Sequence, residues 1–262
     1  MKNTFVLCLG LILLAGCGGG DDDSAAQRTV LRVGTDATYP PFETVDPETG
    51  RPGGFDIDLM TAVCQINGWR PQFIVTPFDG IIPGLRSKKY DAVISAMTIT
   101  PERAAVVDFS YPYYLAGQTI AVPLDDSVTQ GVDDLTGKRV GVQLGTTGEL
   151  MAKKMDGLHV FSYDNIGAAF IDMANGNLDA VLNDFPTSRA YISKHGTAKT
   201  VGKILSTEYY GIAVRKGDAQ LLTEINSALD ELRDTGRYDR LHEKWFGGPP
   251  AQGLAIDSSI LE

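Results

Sequence analysis

The sequence is short of cysteine, of histidine and of positive charge. Its three cysteines, Cys8, Cys17 and Cys64, are too scattered for a paired-cysteine metal motif or a disulfide framework. Cys64 lies among apolar residues at helical spacing and reads as a small buried hydrophobe rather than a nucleophile or a ligand. His159, His195 and His242 share no ligand spacing, so no metal centre is expected. Lys and Arg total 23 against 33 Asp and Glu, a formal charge of −10. With no basic stripe, nucleic acid is not an expected partner. Gly145-x-x-Gly148 is not followed by Lys-Ser/Thr, which excludes a phosphate loop, and no cofactor is expected. After the first 16 residues no apolar run reaches the ~20 residues that span a bilayer. The acidic runs Asp21–Asp23 and Asp133-Asp134 read as solvated charge.

What is present begins at the N-terminus. Lys2 precedes an apolar run from Phe5 to Leu14, broken by Gly10, and small residues follow. That order of basic start, short apolar core and small residues describes a secretory signal over residues 1–16. Leu14-Ala15-Gly16-Cys17 resembles the lipobox of bacterial lipoproteins. The resemblance implies that Cys17 becomes the lipidated first residue, carrying acyl chains such as palmitate, and holds the protein on the outer side of a bacterial membrane. Residues 17–28 then form a tether, because Gly18–Ala26 has three Gly, three Asp and no large apolar group to order it.

The body alternates strand and helix signals, which predicts α/β layers with parallel strands. Leu31-Arg32-Val33-Gly34 and Lys138-Arg139-Val140-Gly141-Val142 each start a unit, followed by a turn-rich segment, a helix and a second buried strand. Those second strands are Asp91–Ser95 and Asp179–Asp184. Two such units predict two related lobes. Open α/β sheets bind ligands beyond the carboxyl ends of their strands. That rule points to Thr35–Tyr39, Ser95–Thr98, Gln143–Thr147 and Asn183–Asp184. Asp56 and Asp79 are candidate helix caps, with Pro83 in the first turn after Asp79, and Thr100-Pro101 is a further start signal. Leu221–Leu232 and Tyr238–Trp245 have helical period. Pro249-Pro250 ends the fold, leaving residues 248–262 as a tail.

Gly54-Phe55-Asp56-Ile57-Asp58-Leu59, Phe78-Asp79-Gly80-Ile81-Ile82-Pro83-Gly84-Leu85, the run from Asp91 to Arg103 and Asp108-Phe109-Ser110 together closely resemble family 3 of the bacterial extracellular solute-binding proteins. The similarity covers about residues 31–247. This family includes glutamine-binding and lysine/arginine/ornithine-binding proteins, and Tyr210–Val214 with Lys244–Gly247 looks most like the glutamine binders. The resemblance implies the type II periplasmic-binding-protein-like α/β fold. In that fold two β-strand hinge crossings join two lobes and the ligand lies in the cleft between them. Residues 29–113 with 211–247 are then lobe I and residues 114–210 lobe II, with crossings near Tyr114–Gln118 and Ser206–Tyr210.

The same resemblance implies a site for an amino-acid zwitterion. Arg103 matches the residue that grips the α-carboxylate, for which a guanidinium fork is suited. Asp184 matches the holder of the α-ammonium, although an acid there also suits a cap on the following Pro186 turn. Ser95, Ala96 and Thr98 match positions that contact both charged ends. Thr146 and Thr147 match a lobe II loop that offers N–H groups at a helix start. Tyr39 and Phe78 resemble aromatic walls, and Asp36 an acid at the far end of the ligand. Gln143 and Asn183 line the opposite lobe, where glutamine binders tend to carry Lys and His. Gln143 leaves Asp36 without a neutralising lysine, so a basic amino acid is expected ahead of glutamine. The expected role is capture of a polar L-amino acid for the permease subunits of an ABC importer, by a monomer with no catalytic residues. The alternative is a cyclohexadienyl or arogenate dehydratase-like enzyme on the same scaffold.

Overall fold

The computed structural model describes residues 29–250. The signal segment, Cys17, the tether up to residue 28 and the tail from residue 251 lie outside the described residues.

Lobe I begins with β1 (Val30–Thr35), whose Leu31 and Val33 point into the core. A short antiparallel sheet follows, made of β2 (Thr38–Tyr39), β3 (Glu43–Val45) and β4 (Pro52–Gly53). Helix α1 (Phe55–Ile66) buries Phe55, Leu59, Met60 and Val63, and Cys64 with them. Burial pushes the Cys64 thiol up to about 12, which keeps it an inert packing residue. Next come β5 (Arg70–Val75), α2 (Phe78–Arg86), β6 (Ala92–Val93), the single-turn α3 (Pro101–Ala104) and β7 (Val107–Phe109). The chain then crosses through β8 (Tyr114–Ala116).

Lobe II contains β9 (Gln118–Pro123), β10 (Arg139–Gln143), α4 (Thr147–Ala152), β11 (His159–Tyr163), α5 (Ile166–Ala174), β12 (Ala180–Asp184), α6 (Phe185–His195) and β13 (Ala198–Val201). The chain returns through β14 (Glu208–Tyr210), which pairs with β8 antiparallel. It finishes with β15 (Ala213–Arg215), α7 (Ala219–Asp234) and α8 (Arg237–Phe246).

Both lobes have the same sheet plan. Their orders are β5-β1-β6-β15-β7 and β11-β10-β12-β9-β13. In each, three parallel strands meet one antiparallel strand, and that strand is the one that directly follows a crossing. The crossings touch closely. A Cβ on Gly117 would lie 2.2 Å from the Ser206 carbonyl, so only glycine lets the backbones approach. Each lobe has its own apolar cluster, around Ile81, Leu85, Val93 and Met97 in lobe I and around Ile120, Val140, Val142 and Leu182 in lobe II. Each fully buried side chain of this size contributes ~1.5–3 kcal/mol. A larger aromatic group covers the crossings: Phe42, Tyr114 and Phe246 pack with ring centres 4.8–5.3 Å apart, edge-on or tilted. His242 belongs to this group and meets the Gly248 carbonyl at 2.7 Å, which gives it a packing role.

Two cap expectations are corrected. Gly54, not Asp56, holds the α1 cap position. Asp56 is the second residue of the helix, fully buried, and its carboxylate accepts from the Ala96 N–H and the Tyr113 hydroxyl. Pro77 holds the cap position of α2, so Asp79 is in its first turn and Pro83 is well inside the helix. Thr100 does cap α3, accepting from the Arg103 N–H at 3.2 Å.

Candidate functional site

The site forms where the carboxyl ends of the two parallel sheets face each other. On lobe I, the chain leaves β1 at Thr35 and turns through Asp36 and Ala37 into β2. Asp36 is buried, and the Thr38 hydroxyl donates to its Oδ2 at 2.6 Å. Burial raises its carboxyl above the usual range. The second edge follows β6. Ser95 donates its hydroxyl to Glu43 and accepts from the Asp36 N–H at 3.1 Å. Ala96 has φ of 43°, a region L-residues rarely adopt, and Asp56 holds it there by accepting from its N–H at 2.7 Å. Glu43 and Asp56, both buried, therefore brace the Ser95-Ala96 turn from beneath. Burial and their mutual repulsion raise Glu43 well above its ordinary value, and burial raises Asp56 to about 7.

Arg103 completes this side. The one-turn helix α3 aims it back over the turn, where Nη1 donates to the Thr98 carbonyl at 2.7 Å. The guanidinium lies 5.2 Å from the centre of the Phe78 ring, a cation–π contact. Its Nη2 donates to the Gly145 carbonyl of lobe II at 3.1 Å. Burial lowers its pKa, with the charges of Glu208 and Asp184 opposing that shift.

On lobe II, Gln143 ends β10 and donates to Asp36 Oδ2 at 2.9 Å across the cleft. Thr146 caps the six-residue α4 through the Glu149 N–H at 3.2 Å, and Thr147 is its first residue. Asn183 and Asp184 end β12. Asp184 occupies the cap position of α6, but its side chain makes no cap bond. The capping alternative is thereby overturned: the carboxylate turns into the cleft. There Oδ2 accepts from the Tyr39 and Tyr210 hydroxyls at 2.7 and 2.6 Å, and Oδ1 from the Gln118 amide. Burial first, and then the Glu208 charge, raise Asp184 to about 7. Tyr39 does more than wall the site. Its hydroxyl also lies 2.6 Å from Asn183 Oδ1, and its single proton serves one of the two acceptors at a time.

These side chains close tightly around a cavity of about 10 Å³. Eleven of the twelve residues singled out in the sequence line it, from Asp36 and Tyr39 to Thr147 and Asp184. Asn183 stands outside the lining and meets the site through Tyr39. Four polar residues were missed, one of them Tyr210, whose hydroxyl donates to Asp184. Glu43 lines the cavity. Gln118 and Glu208 sit in or beside the crossings, nearly buried, and bond the lining residues. Gln118 carried a signal, a polar side chain after the apolar Leu115-Ala116-Gly117, whereas Glu208 lies among Ser206, Thr207 and two tyrosines and carried none. Among the described residues no cluster of His, Cys, Asp and Glu is placed to hold a metal ion.

The sequence profile described as bacterial extracellular solute-binding proteins, family 3, matches residues 31–248. The chain belongs to this family. A probable histidine-binding protein of Neisseria gonorrhoeae is 34% identical, over 94% of this chain and 96% of the relative. Among solved structures, an ancestral arginine-binding protein bound to arginine is 47% identical with a TM-score of 0.81, covering 84% of this chain and 99% of the other. An ancestral arginine-binding protein bound to glutamine is 48% identical, with the same TM-score and coverage. The two-lobe type II architecture is that of these relatives, and their names describe solute-binding proteins rather than enzymes. Among the described residues of this solute-binding protein no helix is long and apolar enough to cross a membrane.

Proposed function

We propose that this chain is the substrate-binding component of an ABC importer and captures a polar L-amino acid by closure of its lobes, a basic amino acid ahead of glutamine. The observation that carries this reading is the pairing of Arg103 on lobe I with Asp184 on lobe II across one cavity. An amino acid is a zwitterion, so its two ends would bridge the lobes and favour closure. Tyr39, Tyr210 and Gln118 donate to Asp184, and an ammonium would join or displace those donors. Ser95, Ala96, Thr98, Thr146 and Thr147 surround the same space and would complete the contacts to the two ends.

The preference for a basic ligand rests on charge. Arg103 is the one cation among the described residues lining the cavity, against the carboxyls of Asp36 and Asp184, while burial favours the neutral form of Glu43. Gln143 bonds Asp36 but adds no charge, so a cationic ligand side chain would neutralise a buried carboxylate. The closed form would present both lobes to permease subunits, and Cys17 would hold the monomer to the membrane through its lipid. The dehydratase-like alternative gains nothing from the geometry, since a cation and a carboxylate lining one cavity suit the two ends of a zwitterion.

A thermal-shift screen of the common amino acids, followed by calorimetric titration, tests the reading, because a ligand of the folded state raises its midpoint. Arginine, lysine or histidine should bind most tightly, and Asp36→Asn should shift preference toward glutamine. A wild-type protein that binds glutamine about tenfold more tightly than every basic amino acid would overturn the preference. Fractionation of Cys17→Ser tests the anchor; a variant still wholly in the membrane pellet would refute it.

A further inference from the structure

Glu208 stands at the start of β14, in the return crossing, with its side chain almost fully buried. Its carboxylate is bonded by both lobes at once. The Thr98 hydroxyl from lobe I and the Thr147 hydroxyl from lobe II both donate to Oε2, each at 2.7 Å. The Ser206 hydroxyl donates to Oε1 at 2.8 Å, and Ser206 itself accepts from the Gln118 N–H at 2.9 Å. Thr98 leads to Arg103, which donates to its carbonyl. Thr147 leads to Gln118, whose amide reaches Thr147 at 3.2 Å and also Asp184. One hinge carboxylate therefore connects the two charged ends of the candidate site.

We infer that Glu208 is a positioning residue for ligand capture: it registers lobe closure by holding Thr98 and Thr147 on a single carboxylate oxygen. Both threonines can meet that oxygen only when the lobes are shut. In the open state water replaces the missing hydroxyl at little cost. In the closed state a buried carboxylate that loses a donor keeps its full desolvation penalty. The Arg103 charge, which Glu208 favours, offsets part of that penalty. Glu208 thus penalises an incompletely formed closed state, and its influence falls on ligand release more than on encounter.

This inference rests on amino-acid capture between the lobes, and the test separates the two. Thr147→Val keeps the backbone N–H and the side-chain volume but removes the lobe II arm of the contact. Stopped-flow fluorescence with L-arginine on the full chain should show release accelerated ~10-fold, with association within about twofold of wild type. In a Glu208→Ala background the same Thr147→Val change should alter release by less than about twofold, because the coupling partner is gone. Glu208→Gln, which keeps a carbonyl acceptor, should leave an intermediate effect of Thr147→Val. A merely structural threonine would give the same effect in all three backgrounds, and that result overturns the inference. If Glu208→Ala does not fold, the Glu208→Gln background carries the comparison alone. If wild type binds no amino acid, the functional reading has failed. The latch is then judged by small-angle scattering of ligand-free protein: Thr147→Val should be more expanded than wild type, and equal dimensions overturn it.

Discussion

The two lobes share a frame and differ at their cleft edges. The shared part extends to single contacts. In lobe I, Arg32 on the first strand forms a forked pair with Asp91, just before the third strand, with Nη2 to Oδ1 at 2.8 Å. In lobe II, Arg139 does the same with Asp179, also at 2.8 Å. In both, the acid also accepts the arginine's own N–H and returns its N–H to the arginine's carbonyl at 2.8 Å. The frame is duplicated, yet the edges above it carry opposite duties. Lobe I supplies the cation, two bracing buried acids and the Phe78 ring. Lobe II supplies the acceptor carboxylate, hydroxyls and a neutral amide. Sheet order and register belong to the scaffold, and the chemistry is written in the short segments after the strands.

Substitutions should respect this division. The largest effect is expected from Arg103→Ala, which removes the lobe I cation. Losing one partner of a desolvated charge pair costs ~2–5 kcal/mol, so calorimetry should find amino-acid binding abolished in a folded variant. Near-normal affinity would show that the cation is not the carboxylate's partner. Asp184→Asn should be next, on the opposite lobe. Burial and the Glu208 charge raise the Asp184 carboxyl to about 7, so it binds a proton between about pH 4 and 7. An ammonium beside it requires the ionised carboxylate, so binding should release up to about one proton at pH 6, and affinity should fall as the pH drops from 7 toward 5. Calorimetry in buffers of different ionisation enthalpy reads that proton, and Asp184→Asn should lose its share. The smallest effects lie in the frame. The two arginine–aspartate pairs are partly exposed, and each should contribute little stability and have no effect on binding. Arg139→Ala should cost more than Arg32→Ala in chemical denaturation, because Arg215 remains 3.4 Å from Asp91. Equal losses would mean that this second partner is idle.

Sequence reading reached far because the frame is encoded by local patterns. Strand signals at Leu31–Gly34 and Lys138–Val142 lie on β1 and β10, and residues just beyond strand ends line the cavity, as the rule for open α/β sheets predicts. What escaped depends on tertiary approach. Glu43 follows a proline pair and looks like an ordinary turn residue, while its burial comes from packing beneath Ser95. Asp56 fits a helix start, but the neighbouring turn at Ala96 claims its carboxylate. Glu208 and Gln118 meet the site only because the two crossings lie side by side. Pairings between residues 40 to 110 positions apart leave no periodic trace in one sequence.

The placement of β15 has a consequence for how the chain is made. In the lobe I sheet, β15 is the strand between β6 and β7. During synthesis β7 emerges about a hundred residues before its only neighbour in that sheet. Lobe II has no such gap: its five strands run without interruption from Gln118 to Val201. The segment synthesised second can therefore complete its sheet first. The nascent lobe I, with two unpaired strand edges, waits for the return crossing to close it, and over that interval it is the part of the molecule most in need of a chaperone.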